Sequence, residues 1–207
     1  MITLIDYGAG NLFSVQKSLE MLGYTSRVAA SPAELAGASV LILPGVGAFG
    51  QGMEALEESG FATVLPDLIR GGAPFLGICL GMQFLFEESH EMGIHKGLGL
   101  LPGAVEPMVS DTLKIPHMGW NSITGDDEVI FAPGADSSHV YFVHSYFRAA
   151  DSLPKENLAA VCEYTKPFAA AVKLYNAYGM QFHPEKSGPV GLAMLARFME
   201  KMGVSKC

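Results

Sequence analysis

The sequence predicts an α/β fold: a mostly parallel, open sheet flanked by helices, with an antiparallel extension in the second half. Three observations predict it. Strand-like apolar stretches alternate with helix-like stretches through residues 1–80, which is the pattern of β-α-β units and a parallel sheet. The predicted strand at 39–43 has an apolar run, as expected for a strand covered on both faces. From Gly97 onward, strand-like stretches follow one another with turns between them, and such strands usually pair antiparallel.

The first half of the chain predicts strands that are connected by helices. Asn11 is a suitable N-cap for a first helix, and Gly23 ends that helix. Ser31-Pro-Ala-Glu34 has the pattern of a capping box at the start of a short helix. A longer helical stretch is predicted to break near Gly60 and Pro66. In chain order, the strands are predicted at 2–6, 24–28 and 39–43, and the helices at 11–22, from 31, and within 53–70.

In the second half, strand-like stretches precede one last helix. The strands are predicted at 104–108, 118–123, 140–144, 158–164, 169–174 and 177–182. Ser187-Gly-Pro189 then begins a helix that runs to Lys201. The predicted inward-facing residues of this helix are Leu192, Leu195, Phe198 and Met199. The sequence shows no linker, repeat or low-complexity segment, so we expect residues 1–207 to form a single domain.

The composition is that of a globular protein, because 49% of the 207 residues are hydrophobic and only 16% are charged. The formal net charge of -8, without a basic cluster, argues against nucleic-acid binding, which needs Lys and Arg to neutralise phosphates. Residues 1–6 lack a basic region and a cleavage site, and no apolar run has the length of a membrane span. We therefore expect neither a signal peptide nor a membrane anchor.

Cysteine usage predicts a reducing compartment. Cys79, Cys162 and Cys207 are odd in number and widely spaced, which favours free thiols in a cytoplasmic protein. The sequence contains no Cys-x-x-Cys and no His-Glu-x-x-His, so we expect no metal site, and no cofactor is predicted.

Gly77-Ile-Cys79-Leu-Gly81 follows an apolar stretch and has the pattern Gly-x-nucleophile-x-Gly of a nucleophile elbow, with cysteine in place of serine. The two glycines permit a sharp turn from a strand into a helix, and the turn exposes the sulfur at the helix N-terminus. There the helix dipole and free backbone amides favour a thiolate. For Cys79 taken alone, a cysteine that fills space in the core is the alternative interpretation.

A second cluster, His183-Pro-Glu185, follows the last predicted strand. Residues two apart in an extended chain point to the same side, so the side chains of His183 and Glu185 are predicted to project together. The carboxylate can then orient the imidazole, whose other nitrogen can act as a base. A surface histidine beside a glutamate is the alternative. Together, however, Cys79, His183 and Glu185 form a complete set of nucleophile, base and orienting acid.

The loop after the third strand, Gly45-Val-Gly-Ala-Phe-Gly50, matches the Gly-x-Gly-x-x-Gly pattern of dinucleotide sites. We reject that function, because Pro44 interrupts the junction between strand and glycine. In addition, the acid about 20 residues further on, Asp67, falls in a helix rather than at a strand end. We interpret the loop as part of an oxyanion hole, in which a loop amide and the amide of Leu80 donate to the alkoxide formed in acyl transfer.

With these features, the chain resembles the class I, or triad, glutamine amidotransferases, and among them the glutaminase subunits of imidazole glycerol phosphate synthase. The resemblance covers the whole chain and implies the flavodoxin-like fold of that class. The cysteine elbow and His-Pro-Glu are common to the class, whereas the motifs at 6–12 and 116–121 indicate the synthase subunits. The matching motifs are Asp6-Tyr-Gly-Ala-Gly-Asn11-Leu, Leu43-Pro-Gly-Val-Gly-Ala-Phe49, Gly77-Ile-Cys-Leu-Gly-Met-Gln83, Pro116-His-Met-Gly-Trp-Asn121, His144-Ser-Tyr146 and Gln181-Phe-His-Pro-Glu-Lys-Ser187.

The resemblance implies a mechanism and the residues that perform it. Cys79 would attack the side-chain amide of glutamine, His183 would transfer the proton to the leaving ammonia, and Glu185 would orient His183. The implied oxyanion donors are the amides of Val46 and Leu80. The implied glutamine-binding residues are Gly47, Gln83, Ser145 and Tyr146. For the last two, an ordinary strand end is the alternative interpretation.

The resemblance also implies a partner: a (β/α)8 cyclase subunit that would form a heterodimer with this chain and receive its ammonia through a tunnel. The cyclase would make imidazole glycerol phosphate and aminoimidazole carboxamide ribotide in histidine biosynthesis. The family also implies strong activation by partner and substrate, with a peptide flip in the 44–47 strand. The residues that match the family's interface are Asn11, Trp120, Tyr141 and Lys186. A place in the core is the alternative for Trp120, the single tryptophan.

Two other functions remain as alternatives on the sequence. One is the amidotransferase subunit of another synthase, such as one linked to chorismate or pyridoxal phosphate. The other is a non-catalytic docking subunit with the same fold, against which the presence of Cys79, His183 and Glu185 argues.

Overall fold

The structure is a computed structural model that describes residues 1–206. The strands are β1 (Ile2–Ile5), β2 (Ser26–Ala29), β3 (Val40–Gly45), β4 (Phe75–Cys79), β5 (Phe86–Ser89), β6 (His95–Lys96), β7 (Leu101–Pro107), β8 (His117–Thr124), β9 (Ser137–His144), β10 (Tyr146–Phe147), β11 (Leu158–Glu163), β12 (Pro167–Leu174) and β13 (Ala177–Met180). The α-helices are α1 (Leu12–Met21), α2 (Phe49–Glu58), α3 (Phe61–Arg70), α4 (Leu80–Gln83) and α5 (Gly188–Lys201). Short 3-10 helices lie at Pro32–Leu35, Ala150–Ser152, Lys155–Asn157 and Pro184–Lys186.

A nine-stranded sheet contains most of these strands, in the order β2-β1-β3-β4-β13-β12-β11-β8-β9. The strands from β2 to β13 in this order pair parallel. The strands from β12 to β9 continue the sheet and pair antiparallel. The structure thus confirms the predicted α/β fold with a mostly parallel sheet and an antiparallel extension.

Helices cover both faces of the parallel strands, because alternate strand residues point to opposite faces. Leu4 and Ile42 pack in one apolar cluster with Leu19 of α1 and with residues of α5. Leu41 and Leu43 point the other way and pack in a second cluster with α2 and α3. β3 is buried along its whole length, as its apolar sequence predicts.

The structure corrects the prediction for the residues after the elbow. The sequence predicts a helix there, but α4 has only four residues, and the chain enters β5 at Phe86. β5 belongs to a second sheet, in the order β10-β7-β5-β6. Phe84 and Phe86 are fully buried, so the apolar residues are divided between one helical turn and a strand. Most strands of this second sheet have two to four residues, too few for a recognisable pattern.

Smaller differences concern helix starts and breaks. Asn11 caps α1 as predicted, since its side chain accepts a hydrogen bond from an amide of the first turn at 3.2 Å. The capping box is wrong: Ser31 makes no side-chain capping bond, and Glu34 accepts from a backbone amide that precedes the 3-10 helix. The long helical stretch divides at Gly60, but Pro66 lies inside α3 and does not break it. Packing of the apolar face of α3 outweighs the one lost hydrogen bond.

The parallel pairing brings the carboxyl ends of β1, β3, β4 and β13 to one edge of the sheet. β4 ends at Cys79, and β13 ends three residues before His183. β4 and β13 are neighbours, with Ile78 opposite Met180. Ligands of open α/β sheets bind beyond such strand ends, so the functional residues are expected at this edge.

Candidate active site

The backbone at Cys79 has the strained turn of a nucleophile elbow. β4 passes directly into α4 here, and Cys79 has φ +55° and ψ −108°, a rare conformation for a residue with a side chain. Close packing requires the flanking glycines. A Cβ on Gly77 would lie 2.4 Å from the carbonyl oxygen of Gly81, and a Cβ on Gly81 would lie 1.9 Å from that of Leu43. A side chain on Gly77 would therefore push the α4 turn away from β4, and a side chain on Gly81 would push it away from β3.

The helix that follows the elbow is shorter than the sequence predicts, and this changes its electrostatic contribution. A helix dipole is the sum of aligned peptide units, and α4 comprises a single turn. The predicted dipole at Cys79 is correspondingly weaker. Hydrogen bonds to the sulfur therefore matter more for stabilising a thiolate.

His183 lies in the loop after β13, and Glu185 holds its imidazole. Nδ1 of His183 lies 2.7 Å from Oε1 of Glu185, and the two side chains are 2% and 1% exposed. Because a carboxylate only accepts, Nδ1 carries the proton and Nε2 is the basic nitrogen of the neutral ring. Nε2 is buried and has no aligned hydrogen-bond partner within residues 1–206. Its lone pair is therefore available to a proton on a neighbouring group.

The charge state of His183 depends on its two neighbours. Burial would lower the pKa of His183, because a low dielectric disfavours the imidazolium. Interaction with Cys79 and with Glu185 outweighs burial and raises this pKa from 6.5 to about 9. Cys79 therefore lies within electrostatic reach of His183.

Cys79 and His183 open into one cavity of about 400 Å³ at the carboxyl edge of the parallel strands. Small-molecule sites commonly have this size. All residues that the sequence analysis assigns to the oxyanion hole and to glutamine binding line this cavity: Val46, Gly47, Leu80, Gln83, Ser145 and Tyr146. Their roles stay predictions. The fold nonetheless brings these separate segments of the chain around a single sulfur.

Gln181 is a buried residue beside the cavity for which the sequence predicted no role. Gln83 Nε2 donates to the carbonyl oxygen of Tyr146 at 3.1 Å and to Oε1 of Gln181 at 3.0 Å. Gln181 is fully buried, and its Nε2 lies 3.7 Å from Sγ of Cys79. Gln181 stands two residues before His183, so the alternation that we applied to the His-Pro-Glu segment would have placed it on the same side.

Glu91 is a second residue that the sequence did not indicate. It lines the cavity, and its Oε2 accepts a hydrogen bond of 2.6 Å from the amide of Phe49 at the start of α2. The bond to α2 fixes the carboxylate, which is suited to a positively charged group of a ligand. Glu91 follows β5, and nothing in its local sequence distinguishes it from an exposed glutamate.

A pair of buried histidines supports the cavity wall. His144 Nδ1 lies 2.9 Å from the carbonyl oxygen of Tyr146, and His144 Nε2 lies 3.0 Å from Nδ1 of His117. Burial is the main cause that lowers the pKa of His117 to about 4 and that of His144 to about 3. Both rings are therefore neutral at physiological pH, and His144 donates to the carbonyl from Nδ1. The pair fixes the segment that carries Ser145 and Tyr146.

The residues predicted at a partner interface lie outside the cavity. Trp120 on β8 is 57% exposed and packs edge-to-face on Tyr141 of β9, with ring centroids 6.3 Å apart. The alternative that Trp120 is a core residue is therefore wrong. Lys186 is exposed, and Asn11 is half-buried at the start of α1. The carbonyl of Tyr141 accepts from the amide of His183 at 2.9 Å, which connects this surface to the cavity.

Outside this cavity, residues 1–206 contain no cluster of metal ligands, no membrane-spanning helix and no reactive cysteine. No cluster of three His, Cys, Asp or Glu side chains there is placed to hold a metal ion, and no helix there is long and apolar enough to cross a membrane. Cys162 is a free thiol buried in β11, and burial raises its pKa to about 12, so it is unreactive. Cys207 lies outside the described residues.

Known proteins have sequences similar to this chain. The family model for glutamine amidotransferase class-I matches residues 3–202. An imidazole glycerol phosphate synthase subunit HisH from Desulfitobacterium hafniense is 51% identical over 199 residues, which cover 96% of this chain and 93% of that protein. A subunit HisH from Chlorobium luteolum is 46% identical over 202 residues, covering 97% of this chain and all of that protein. In Arabidopsis thaliana, the chloroplastic imidazole glycerol phosphate synthase hisHF is 41% identical over 200 residues, covering 96% of this chain and 34% of that protein.

Solved structures share the fold at lower identity. A crystal structure of a glutamine amidotransferase has a TM-score of 0.75 at 19% identity, covering 98% of this chain and 99% of that chain. PurLQS from Thermotoga maritima has a TM-score of 0.70 at 18% identity, covering 97% of this chain and 98% of that chain. These two similarities establish the fold. The family match and the relatives of 46% and 51% identity establish more: this chain belongs to the class I glutamine amidotransferases and, within them, to the family of imidazole glycerol phosphate synthase HisH subunits.

Proposed function

We propose that this chain is the glutaminase subunit of an imidazole glycerol phosphate synthase: it hydrolyses glutamine to glutamate and ammonia at Cys79 and passes the ammonia on for histidine biosynthesis. One observation carries the proposal. The elbow cysteine shares a cavity with His183, whose buried Nε2 is free while Glu185 holds Nδ1. Nucleophile, base and orienting acid are the groups that amide hydrolysis through a thioester requires.

In the first half of the proposed reaction, Cys79 forms a thioester with the side-chain carbonyl carbon of glutamine. His183 Nε2 takes the thiol proton, and the thiolate attacks, so that the carbonyl becomes an alkoxide. The amides of Val46 and Leu80 are proposed to donate to this alkoxide. The imidazolium then protonates the amide nitrogen, the C–N bond breaks, and ammonia leaves.

In the second half, water releases glutamate. His183 takes a proton from a water molecule, the resulting hydroxide attacks the thioester carbonyl, and the C–S bond breaks. The proton returns to Cys79, and the balance is glutamine plus water to glutamate plus ammonia. Glu185 accepts from Nδ1 throughout and stabilises each imidazolium stage.

The wall of the cavity supports a site for the rest of the glutamine molecule. We propose that Gly47, Gln83, Ser145 and Tyr146 hold the substrate, as their places around the cavity suggest. We add Glu91, whose fixed carboxylate faces the same cavity and is complementary to an α-ammonium group.

The proposed partner is a (β/α)8 cyclase subunit, which forms a heterodimer by covering the surface around Asn11, Trp120, Tyr141 and Lys186. An exposed tryptophan packed on a tyrosine is a common anchor of protein interfaces, which supports this surface. The match to hisHF also supports a partner. It covers 34% of that protein, so most of that synthase lies outside the matched region.

We also propose that residues 1–207 act as one amidotransferase domain in the cytoplasm. The large sheet supports one domain, because it contains strands from both ends of the chain, such as β1 and β13. The free thiols of Cys79 and Cys162 support a reducing compartment.

Glutamate release tests the function. We expect the chain alone to be a weak glutaminase and the complex with the cyclase and its nucleotide substrate to be a fast one. Cys79→Ala is expected to lower both rates by more than about 10³-fold, whereas Cys162→Ala, the matched control, retains them. Activity that survives in Cys79→Ala contradicts the proposed chemistry. Equal rates with and without the cyclase contradict the proposed activation.

The two alternative functions have their own tests. Co-purification with an enzyme of chorismate or pyridoxal phosphate synthesis would support another synthase. The relatives of 51%, 46% and 41% identity, which are imidazole glycerol phosphate synthases or their subunits, argue against it. A docking subunit would not react with a glutamine analogue that carries a diazo ketone. We expect this analogue to label Cys79 in the presence of the cyclase.

A further inference from the structure

A single backbone group determines the direction of the hydrogen bonds that lead to the sulfur of Cys79. The carbonyl oxygen of Tyr146 only accepts, so the Gln83 atom 3.1 Å from it is the amide nitrogen Nε2. This nitrogen only donates, so the Gln181 atom 3.0 Å from it is the oxygen Oε1. The amide nitrogen of Gln181 is therefore the atom that lies 3.7 Å from Sγ. These hydrogen bonds therefore orient an N–H group of Gln181 toward the sulfur of Cys79.

We propose that Gln181 is a further catalytic residue, whose side-chain amide donates a hydrogen bond to the Cys79 thiolate and stabilises it. The inference rests on the proposed function of Cys79 as the nucleophile. Gln181 is fully buried, so water does not compete for its N–H groups. A hydrogen bond to a charged acceptor is stronger than one to a neutral acceptor, so this donor favours the thiolate over the thiol.

Three other groups near the sulfur do not supply a hydrogen-bond donor that persists through the reaction. The carbonyl oxygen of Val143 lies 3.9 Å from Sγ and only accepts, so it favours the protonated thiol. α4 contributes the dipole of one turn. His183 exchanges its proton during the reaction, and its Nε2 is not aligned with the sulfur. Gln181, by contrast, keeps its hydrogen atoms at every stage of the reaction.

Replacing Gln181 by an uncharged residue leaves every titratable side chain near the sulfur in the protein. They are His183 in the adjacent loop with Glu185 on its ring, Tyr7 after β1, and Glu91, His144 and Tyr146 around the cavity. A substitution of Gln181 by an uncharged residue therefore removes a hydrogen bond without adding or removing a charge. A change in the pH dependence of Cys79 reactivity then reports the loss of that bond.

The test is alkylation of Cys79 by iodoacetamide as a function of pH, followed by peptide mass spectrometry so that other cysteines are not counted. In Gln181→Met the side chain keeps its approximate volume but has no N–H donor. We expect the pH of half-maximal alkylation to rise by about one unit. Glutamine turnover at neutral pH is expected to fall about tenfold, mainly in kcat. Gln51→Met, the same substitution at an exposed position of α2, is the matched control and is expected to keep the wild-type profile.

Gln181→Asn is the second variant, in case the first does not fold. Its amide is one carbon shorter and cannot reach Gln83 and Cys79 together, so the pH of half-maximal alkylation is again expected to rise. A folded variant of either kind that alkylates with the wild-type profile overturns the inference. Failure of the proposed function gives a different result: Cys79→Ala would then remain an active glutaminase, whatever the Gln181 variants do.

Discussion

At the scale of single residues, His183 lies between two groups that favour its charged form. Glu185 accepts from its Nδ1 at 2.7 Å, and Cys79 lies within electrostatic reach. Burial opposes the charge, but the two neighbours raise the pKa to about 9. At neutral pH this favours the imidazolium form of His183. The imidazolium is then ready to protonate the departing ammonia.

Replacing Glu185 by glutamine tests how much the carboxylate contributes to this charge. Because the pKa of His183 is raised on folding, its protonation stabilises the folded chain fully below pH about 6.5, and this stabilisation is lost as the pH rises through about 9. We expect Glu185→Gln to lower the free energy of unfolding by about 2 kcal/mol near pH 6 and by much less near pH 10. Urea unfolding across this range measures the difference. A deficit that is the same at every pH would mean that Glu185 acts through packing alone.

The sequence identified some residues of the site and missed others for physical reasons. Cys79 and His183 were found because glycine and proline beside them restrict the local backbone, and local geometry can be derived from local sequence. Glu91 was missed because its position depends on a bond to Phe49, 42 residues earlier in the chain. The alternation that places His183 and Glu185 on one side of the chain also applies to Gln181. A glutamine side chain, however, has no evident catalytic role until the groups that it contacts are known.

At the scale of elements, the His183 loop is attached to β9 through Ser187. The Ser187 hydroxyl donates to the carbonyl oxygen of His183 at 2.6 Å and accepts from the amide of Tyr141 at 2.9 Å. The amide of His183 in turn donates to the carbonyl oxygen of Tyr141 at 2.9 Å. Since Ser187 is almost fully buried, these bonds hold the start of α5, the His183 loop and β9 together.

Ser187→Ala is expected to loosen this attachment. The substitution removes both hydroxyl bonds and leaves the half-buried amide of Tyr141 without its partner, so we expect a loss of about 1–2 kcal/mol in the free energy of unfolding. Turnover is expected to fall about threefold to tenfold, mainly in kcat, because His183 is positioned less rigidly. Ser205→Ala, at an exposed position after α5, is the matched control and is expected to change neither quantity. Wild-type turnover in folded Ser187→Ala would contradict the positioning role.

Elements with a long, regular pattern were predictable, and short ones were not. α5 begins and ends where its glycine, proline and apolar spacing predict, and β12 has eight residues of which all but Lys173 are apolar. The segment after the elbow was predicted as a helix because the few residues that follow Gly81 have a helix-like pattern. Its structure is decided instead by pairing of β5 with β7, which is a contact between distant parts of the chain.

At the scale of the whole molecule, the site lies where the parallel and antiparallel parts of the sheet meet. β13 pairs parallel with β4, which ends in Cys79, and antiparallel with β12. The sequence predicts both parts of the sheet but not their order, because the order depends on long-range pairing. β8 and β9 form the far edge of the extension and carry Trp120 and Tyr141, while Ser187 connects β9 back to His183. A partner that covers this surface is therefore in contact with the segment that positions the base.

Trp120→Ala tests whether this surface is the interface. Since Trp120 is 57% exposed, we expect the free energy of unfolding of the chain alone to change by less than about 0.5 kcal/mol. The affinity for the cyclase is expected to fall about 30-fold, as for a central aromatic anchor, and isothermal titration calorimetry measures this. Glutaminase activity is expected to recover at saturating cyclase, because Trp120 does not line the cavity. Tyr175→Ala removes another exposed aromatic, in the turn that precedes β13, and is the matched control. If Trp120→Ala binds the cyclase as tightly as Tyr175→Ala does, the interface lies on another surface of this chain.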